Sequence, residues 1–189
     1  IGLGNPLLTQ NTRIGNVTYN PNFEKFSNEG HNSYSLEIDF SQILSKNLQG
    51  SLSLDVIKQD GLLSTPFQRV YFSDVADSFI ENFQLADAIE RLPDSRLKIA
   101  LGGRLNYDIN ETFVLRTFYR YYTDDWGIKS HTASVEVPIK LNDKFTLYLS
   151  YRFYNQTEAD YFAKYEAHLS TDEFYTSDYD LSKDAANQY

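Results

Sequence analysis

The sequence predicts an all-β chain, part of an antiparallel up-and-down transmembrane β-barrel with a short helix in a long extracellular loop. Three observations predict it. Apolar and polar residues alternate over long runs, as in LNDKFTLYLSYRFY at 141–154. There Phe145, Leu147, Leu149, Tyr151 and Phe153 oppose Thr146, Tyr148, Ser150, Arg152 and Tyr154, the period-two signature of a strand with two unlike faces. The runs are about 9–14 residues long, against about 5–6 for an ordinary strand and about 9–11 for a tilted membrane strand. Links between successive runs alternate between short and long, as in outer-membrane barrels.

Residues 1–32, rich in Asn, Gly and Thr, read as a surface loop with one poor strand near 13–19. The first clear strand is 33–41, with Tyr34, Leu36, Ile38 and Phe40 against Ser35, Glu37 and Asp39. After a turn at Ser45-Lys46-Asn47, the second strand, 48–58, sets Leu48, Leu52, Leu54 and Val56 against Gln49, Ser51, Ser53 and Asp55. A long insertion at 59–95 follows. In it Phe79, Ile80, Phe83, Ala86 and Ile89 recur at helical spacing and predict a short amphipathic helix, ended by Pro93.

The third strand, 96–107, carries Leu97, Ile99, Leu101, Leu105 and Tyr107 against Lys98, Arg104 and Asn106. The fourth, 112–123, carries Phe113, Leu115, Tyr119 and Tyr121 against Arg116, Phe118, Arg120 and Tyr122. TDDWG turns the chain into the fifth, 128–141, with Ala133, Val135, Val137, Ile139 and Leu141 against Ser130, Thr132, Ser134, Glu136 and Lys140. Pro138 lacks an amide donor and predicts a bulge or pairing defect there. Asn142-Asp143-Lys144 leads into the sixth strand, and the tail from Asn155 is acidic and Tyr-rich without clean alternation. Gly102-Gly103 reads as a kink or a close approach within the sheet.

On the apolar faces the aromatics sort by height. Phe40, Tyr107, Phe113 and Phe145 lie toward the short turns. Tyr34, Tyr119, Tyr121, Tyr151 and Phe153 lie toward the long links. Two aromatic belts around an aliphatic band match the two interfaces of a bilayer. A soluble β-sandwich acting as a binding module is the alternative, with the greasy face as its core.

The 189 residues suit one domain, 1–189, incomplete as a barrel at one or both ends because six strands do not close one. The net charge of −9 and pI near 4.7 argue against nucleic acid as partner. The absence of cysteine excludes disulfides and thiolate chemistry. With no methionine even at position 1, the chain is expected to begin after processing or inside a longer protein. No run approaches the ~20 apolar residues of a membrane helix, a test that does not see barrels.

At GLLSTPFQRVYF, LPDSRLKIALGGRLNY, YRYYTDDWGIKSHTASVEVPIKLNDKFTLYLSYRFYNQT and LSTDEFYTSDYDLSK the chain resembles an uncharacterised, domain-of-unknown-function family of outer-membrane β-barrels from Bacteroidota-type bacteria. The resemblance spans roughly 33–183 and implies a Gram-negative outer membrane. It carries over no catalytic residues. Family members are longer, with more strands on both sides.

The inward residues form a charged set: Lys98, Arg104, Arg116, Arg120 and Arg152 against Glu37, Asp39, Asp55 and Glu136. They predict either a pore lining that selects solute by charge or a packed polar core of satisfied pairs. The 59–95 insertion would plug the lumen, cap the mouth or dock a partner, with Phe79, Ile80 and Phe83 seeking an apolar surface. Acidic pairs at Asp124-Asp125, Asp172-Glu173 and Asp178/Asp180 lack calcium-loop spacing, so neither metal nor cofactor is expected. Ser170, His168 and Asp172 share one loop, and sequence proximity is weak evidence for a triad, so no enzyme is expected. Partners are then outer-membrane lipid and, for a barrel subunit, other proteins of an envelope complex.

Overall fold

The computed structural model describes residues 12–14, 17–19, 30–65, 67–80 and 82–189. Most of 1–32 therefore lies outside the described residues. Within it β1 (Thr12–Ile14) and β2 (Val17–Tyr19) pair antiparallel where one poor strand is predicted.

The described chain forms two compact units. One is built around a seven-stranded antiparallel sheet. Its strands, in chain order, are β3 (His31–Ser45) and β4 (Leu48–Gly61), then, after an excursion that contains β5 to β8, β9 (Ser95–Asp108), β10 (Val114–Asp124), β11 (Lys129–Lys140), β12 (Thr146–Gln156) and β13 (Asp184–Gln188). The spatial order is β13-β12-β11-β10-β9-β4-β3, so each sheet strand lies beside its predecessor. All six predicted strands are present, with ends that differ from the expected ones by a few residues. The short β13 is unforeseen, because DAANQ carries no apolar alternation. The sheet is open, with β3 and β13 at its edges, and no closed barrel forms among the described residues.

The register fixes the two faces. One row runs Leu105, Thr117, Val135, Tyr151 across β9 to β12, and the next runs Gly103, Tyr119, Ala133, Phe153. Interleaved with these, on the opposite face, run Asn106, Arg116, Glu136, Ser150 and Arg104, Phe118, Ser134, Arg152. Alternation along each strand has become segregation across the sheet, because a side-chain period of two leaves no other outcome once the register is set.

Two of the tight turns share one design. Asn110 Oδ1 accepts the amides of Thr112 and Phe113 at 2.9 Å, and the Ile109 amide donates to the Phe113 carbonyl. Asn142 Oδ1 likewise accepts from Lys144 (2.9 Å) and Phe145 (3.0 Å), and Leu141 donates to Phe145. An asparagine at the first turn position mimics a backbone carbonyl, so INETF and LNDKF close β9–β10 and β11–β12 in the same way. Pro138 stays in register opposite Tyr148 of β12, without a bulge. Toward β10 the continuous ladder stops at Arg116–Glu136 and resumes as an isolated bridge between Phe113 and Ile139. The expected pairing defect is thus present on the side where the missing amide is felt.

At the other end, the β10–β11 link is organised around Asp124. Its carboxylate accepts from Arg96, the Tyr122 hydroxyl and the Trp126 and Ile128 amides. The Arg96 guanidinium also lies 4.2 Å from the Trp126 ring centroid, and Trp126 and Ile128 are buried. Gly127 has φ +86°, a conformation that favours glycine, and a Cβ there would also displace the Asp160 carboxylate.

The second unit draws on two excursions, 59–95 and 161–180. In the first, β5 (Arg69–Val70) pairs with β8 (Ala88–Ile89), and β6 (Ser78–Ile80) pairs with β7 (Phe83–Leu85). The predicted helix is therefore replaced by a hairpin: Ser78, Phe79 and Ile80 face Leu85, Gln84 and Phe83. Apolar residues at 79, 80 and 83 fit one face of a helical turn, but they fit two three-residue strands about a tight reversal equally well. Tertiary contacts choose the latter. Gln84 takes a hydrogen bond from Tyr165 (2.7 Å) and gives one to Asp77 (3.2 Å), and the Arg69 guanidinium lies 5.3 Å from the Phe83 ring centroid. Phe79 and Phe83 remain exposed in the described structure. The single helical turn among the described residues is 3-10, at Tyr179–Leu181.

Buried Val70, Phe72 and Leu92 form the apolar centre of this unit, with Phe72 edge-on to Tyr175. Strand bridges Phe72–His168 and Arg91–Tyr175 join the two excursions, and Phe162–Thr176 closes the second on itself.

Candidate functional site

Two surfaces of the sheet hold the sequence-predicted residues. The apolar one is bare. Val135, Leu147 and Leu149 are 42%, 46% and 52% exposed, and Leu36, Ile38, Phe40, Leu52, Leu101 and Leu105 are more than a third exposed as well. A soluble monomer rarely leaves a contiguous apolar surface of more than a few hundred Å² uncovered. Of the predicted belt residues, Tyr34, Phe40, Tyr107, Phe113, Tyr119, Phe145, Tyr151 and Phe153 are exposed. The Tyr121 ring lies tilted against the His131 ring (centroids 5.1 Å apart), and His131 Nδ1 is 2.7 Å from the Tyr119 hydroxyl. Tyr151 donates to Asn187 at 2.8 Å. Toward the long-link end, the Tyr119 and Tyr151 hydroxyls therefore engage polar partners.

The charged face follows from the register. Arg116 and Glu136 are directly opposed and form an ion pair of 2.8 Å. Arg120 reaches Asp55 at 2.8 Å although β10 and β4 are not neighbours. β9 lies between them, and its residue opposite Arg120 is Gly102. With no side chain there, the path is open. A Cβ at Gly102 would meet Ser53 Oγ at 2.4 Å, so the close approach read from Gly102-Gly103 is real. Both pairs are partly exposed, and each is worth at most about 1 kcal/mol in water.

Arg104 lies 5.6 Å from the Phe118 ring centroid, and Arg152 is opposite Ser134. Lys98 is opposite Asp124 in the ladder. Glu37 and Asp39 stand on the edge strand β3, apart from the arginines. A groove of about 390 Å³ is lined by Arg104, Asn106, Arg116, Phe118, Ser134 and Glu136. In it Asn106 Oδ1 is buried with no hydrogen-bond partner. Sequence reasoning placed Arg104, Arg116 and Glu136 here but missed Phe118, Ser134 and Asn106. Their alternation put them on this face, but only the ladder shows that they are neighbours.

The second unit holds a separate polar cluster. Glu90, His168 and Thr176 are buried. Glu90 accepts from the Thr65 amide at 2.6 Å and from the Thr176 hydroxyl. His168 Nε2 faces the Thr176 carbonyl at 2.9 Å and Nδ1 faces the Asp172 carboxylate at 3.2 Å. Both partners only accept, so the ring makes both bonds when both nitrogens carry protons. Ser170 donates instead to Asp74, at 2.6 Å. Ser170, His168 and Asp172 thus do not line up as nucleophile, base and orienter. No group of three or more potential ligand side chains gathers for a metal among the described residues.

A family model described as a protein of unknown function, DUF3570, matches residues 6–189. The chain belongs to that family. No curated protein and no solved structure matches it. For this DUF3570 chain, then, a functional reading rests on the two faces of the sheet and on the groove between its arginines.

Proposed function

We propose that this sheet is a stretch of wall of an outer-membrane β-barrel in a Gram-negative envelope. Its aliphatic and aromatic face meets lipid, and its charged face looks inward. The observation that carries the reading is the bare apolar face, continuous across β3 to β12, backed by a face of arginines and carboxylates. Water penalises that arrangement and a bilayer rewards it. The open edges belong to the same argument. Unpaired backbone groups in lipid cost several kcal/mol each, so β3 and β13 must meet further strands, and closure takes at least about eight. In this reading the two long excursions leave from the extracellular end, and the asparagine turns face the periplasm.

The wall serves one of two roles: it lines a pore for a small solute, or it is the barrel subunit of an envelope complex. Detergent dependence tests the wall itself. The full chain should leave solution on detergent removal, and a monodisperse detergent-free protein would instead favour a soluble β-sandwich binding module. Planar-bilayer recording separates the two roles. Discrete current steps support the pore, and silence together with a stable co-purifying protein supports the subunit.

A further inference from the structure

Four arginines of the charged face, Arg104, Arg116, Arg120 and Arg152, differ in how they are neutralised. Arg116 is paired with Glu136 and Arg120 with Asp55. Among the described residues, no carboxylate lies within ion-pair distance of Arg104 or Arg152. These two occupy one cross-strand row, Arg104–Phe118–Ser134–Arg152, near the middle of their strands. Their backbones are three strand spacings apart, about 14 Å, so each is about 7 Å from the midline. That is within the span of an extended arginine side chain. The two residues between them leave room: Ser134 is small, and the Phe118 ring supports the Arg104 guanidinium. Beside this row, Asn106 lines the groove, and its buried Oδ1 has no hydrogen-bond partner.

We propose that Arg104 and Arg152 form an anion-binding site on the charged face, which takes a small phosphate or carboxylate that also bears hydroxyl groups. Guanidinium forks match the oxygens of either anion, and their charge here is not spent on protein carboxylates. When the Asn106 side chain turns toward the groove it lines, a ligand hydroxyl supplies the donor that its Oδ1 lacks. Arg116 and Glu136 also line the groove, but their charges offset each other in the ion pair, so Arg116 is not the primary contact. The inference rests on reading this face as the solute-facing one, and in a closed barrel it makes the solute anionic.

The test is titration calorimetry on the full chain in detergent at low ionic strength, with glucose 6-phosphate, inorganic phosphate and glucose as probes. Both phosphates should bind, glucose 6-phosphate the more tightly, and glucose should not. The double variant Arg104→Gln/Arg152→Gln should weaken phosphate binding about tenfold or more. Ser134→Glu, which sets a carboxylate between the two guanidiniums, should abolish it while retaining the β-sheet circular dichroism. Lys140→Gln, at the distant turn, should change nothing. Absence of phosphate binding, equal binding of glucose and glucose 6-phosphate, or undiminished phosphate binding in both variants would overturn the site. A chain that binds phosphate yet needs no detergent keeps this site and sinks the membrane wall instead.

Discussion

Glu90 shows how a single carboxyl couples one unit to pH. Burial pushes it above the usual glutamate range, the Thr176 hydroxyl and Thr65 amide pull it partly back, and Asp178 adds to the rise. The folded unit therefore holds this proton more tightly than the unfolded chain. The resulting stability is fully present below the ordinary glutamate pKa of 4.5 and is lost as pH rises through the elevated folded value. Native-state hydrogen exchange, corrected for intrinsic rates, should show protection of the 65 and 176 amides falling as pH rises above 4.5. Glu90→Gln should flatten that dependence, since an amide keeps the Thr65 bond and never ionises. A slope that persists in the variant would assign the effect to another group. The raised proton affinity was not legible in the sequence, where Glu90 is one acid among 26 Asp and Glu. It emerges only in the folded unit, where burial outweighs the bonds from Thr176 and Thr65.

Among the elements, the strands were the most legible and the hairpin of the long excursion the least. Long period-two runs leave no competing reading, so β3, β4, β9, β10, β11 and β12 appear where expected. A few apolar residues around 79–89 satisfy either period, and contacts from Tyr165 and Arg69, distant in sequence, decide it. The repeated asparagine turns make an element-level prediction. Asn110→Ala and Asn142→Ala each remove two bonds to backbone amides at an exposed turn, and each should cost about 1 kcal/mol in urea unfolding from lipid vesicles. Asn→Asp, which keeps the accepting oxygen, should cost less at either position. Equal loss in the alanine and aspartate variants would show that the side-chain oxygen does not set these turns.

At the scale of the whole molecule, the two faces of one strand should respond oppositely to charge. Leu149 is on the apolar face opposite Val137, and Ser150 is on the charged face opposite Glu136. Leu149→Arg should destabilise the membrane-inserted protein by about 2–4 kcal/mol, as expected for a cation on the lipid face near the midplane. Ser150→Arg should be tolerated. Folding yield into liposomes, read from heat-dependent gel mobility, distinguishes them. Equal tolerance of both variants would mean that the apolar face does not meet lipid. The candidate site has the same origin in alternation: Arg104, Arg116, Arg120 and Arg152 could be assigned to one face from the sequence, but not which of them would find an acid.

By itself the sequence determined the strands, their two unlike faces and the gathering of charge on one side, because a pleated chain sends successive side chains to opposite faces whatever its neighbours are. Only the tertiary structure decided who stands beside whom. Cross-strand register pairs Arg116 with Glu136, lets Arg120 pass over Gly102 to Asp55 and leaves Arg104 and Arg152 without acids. Register depends on contacts between residues tens of positions apart, and alternation along a single strand carries no record of them.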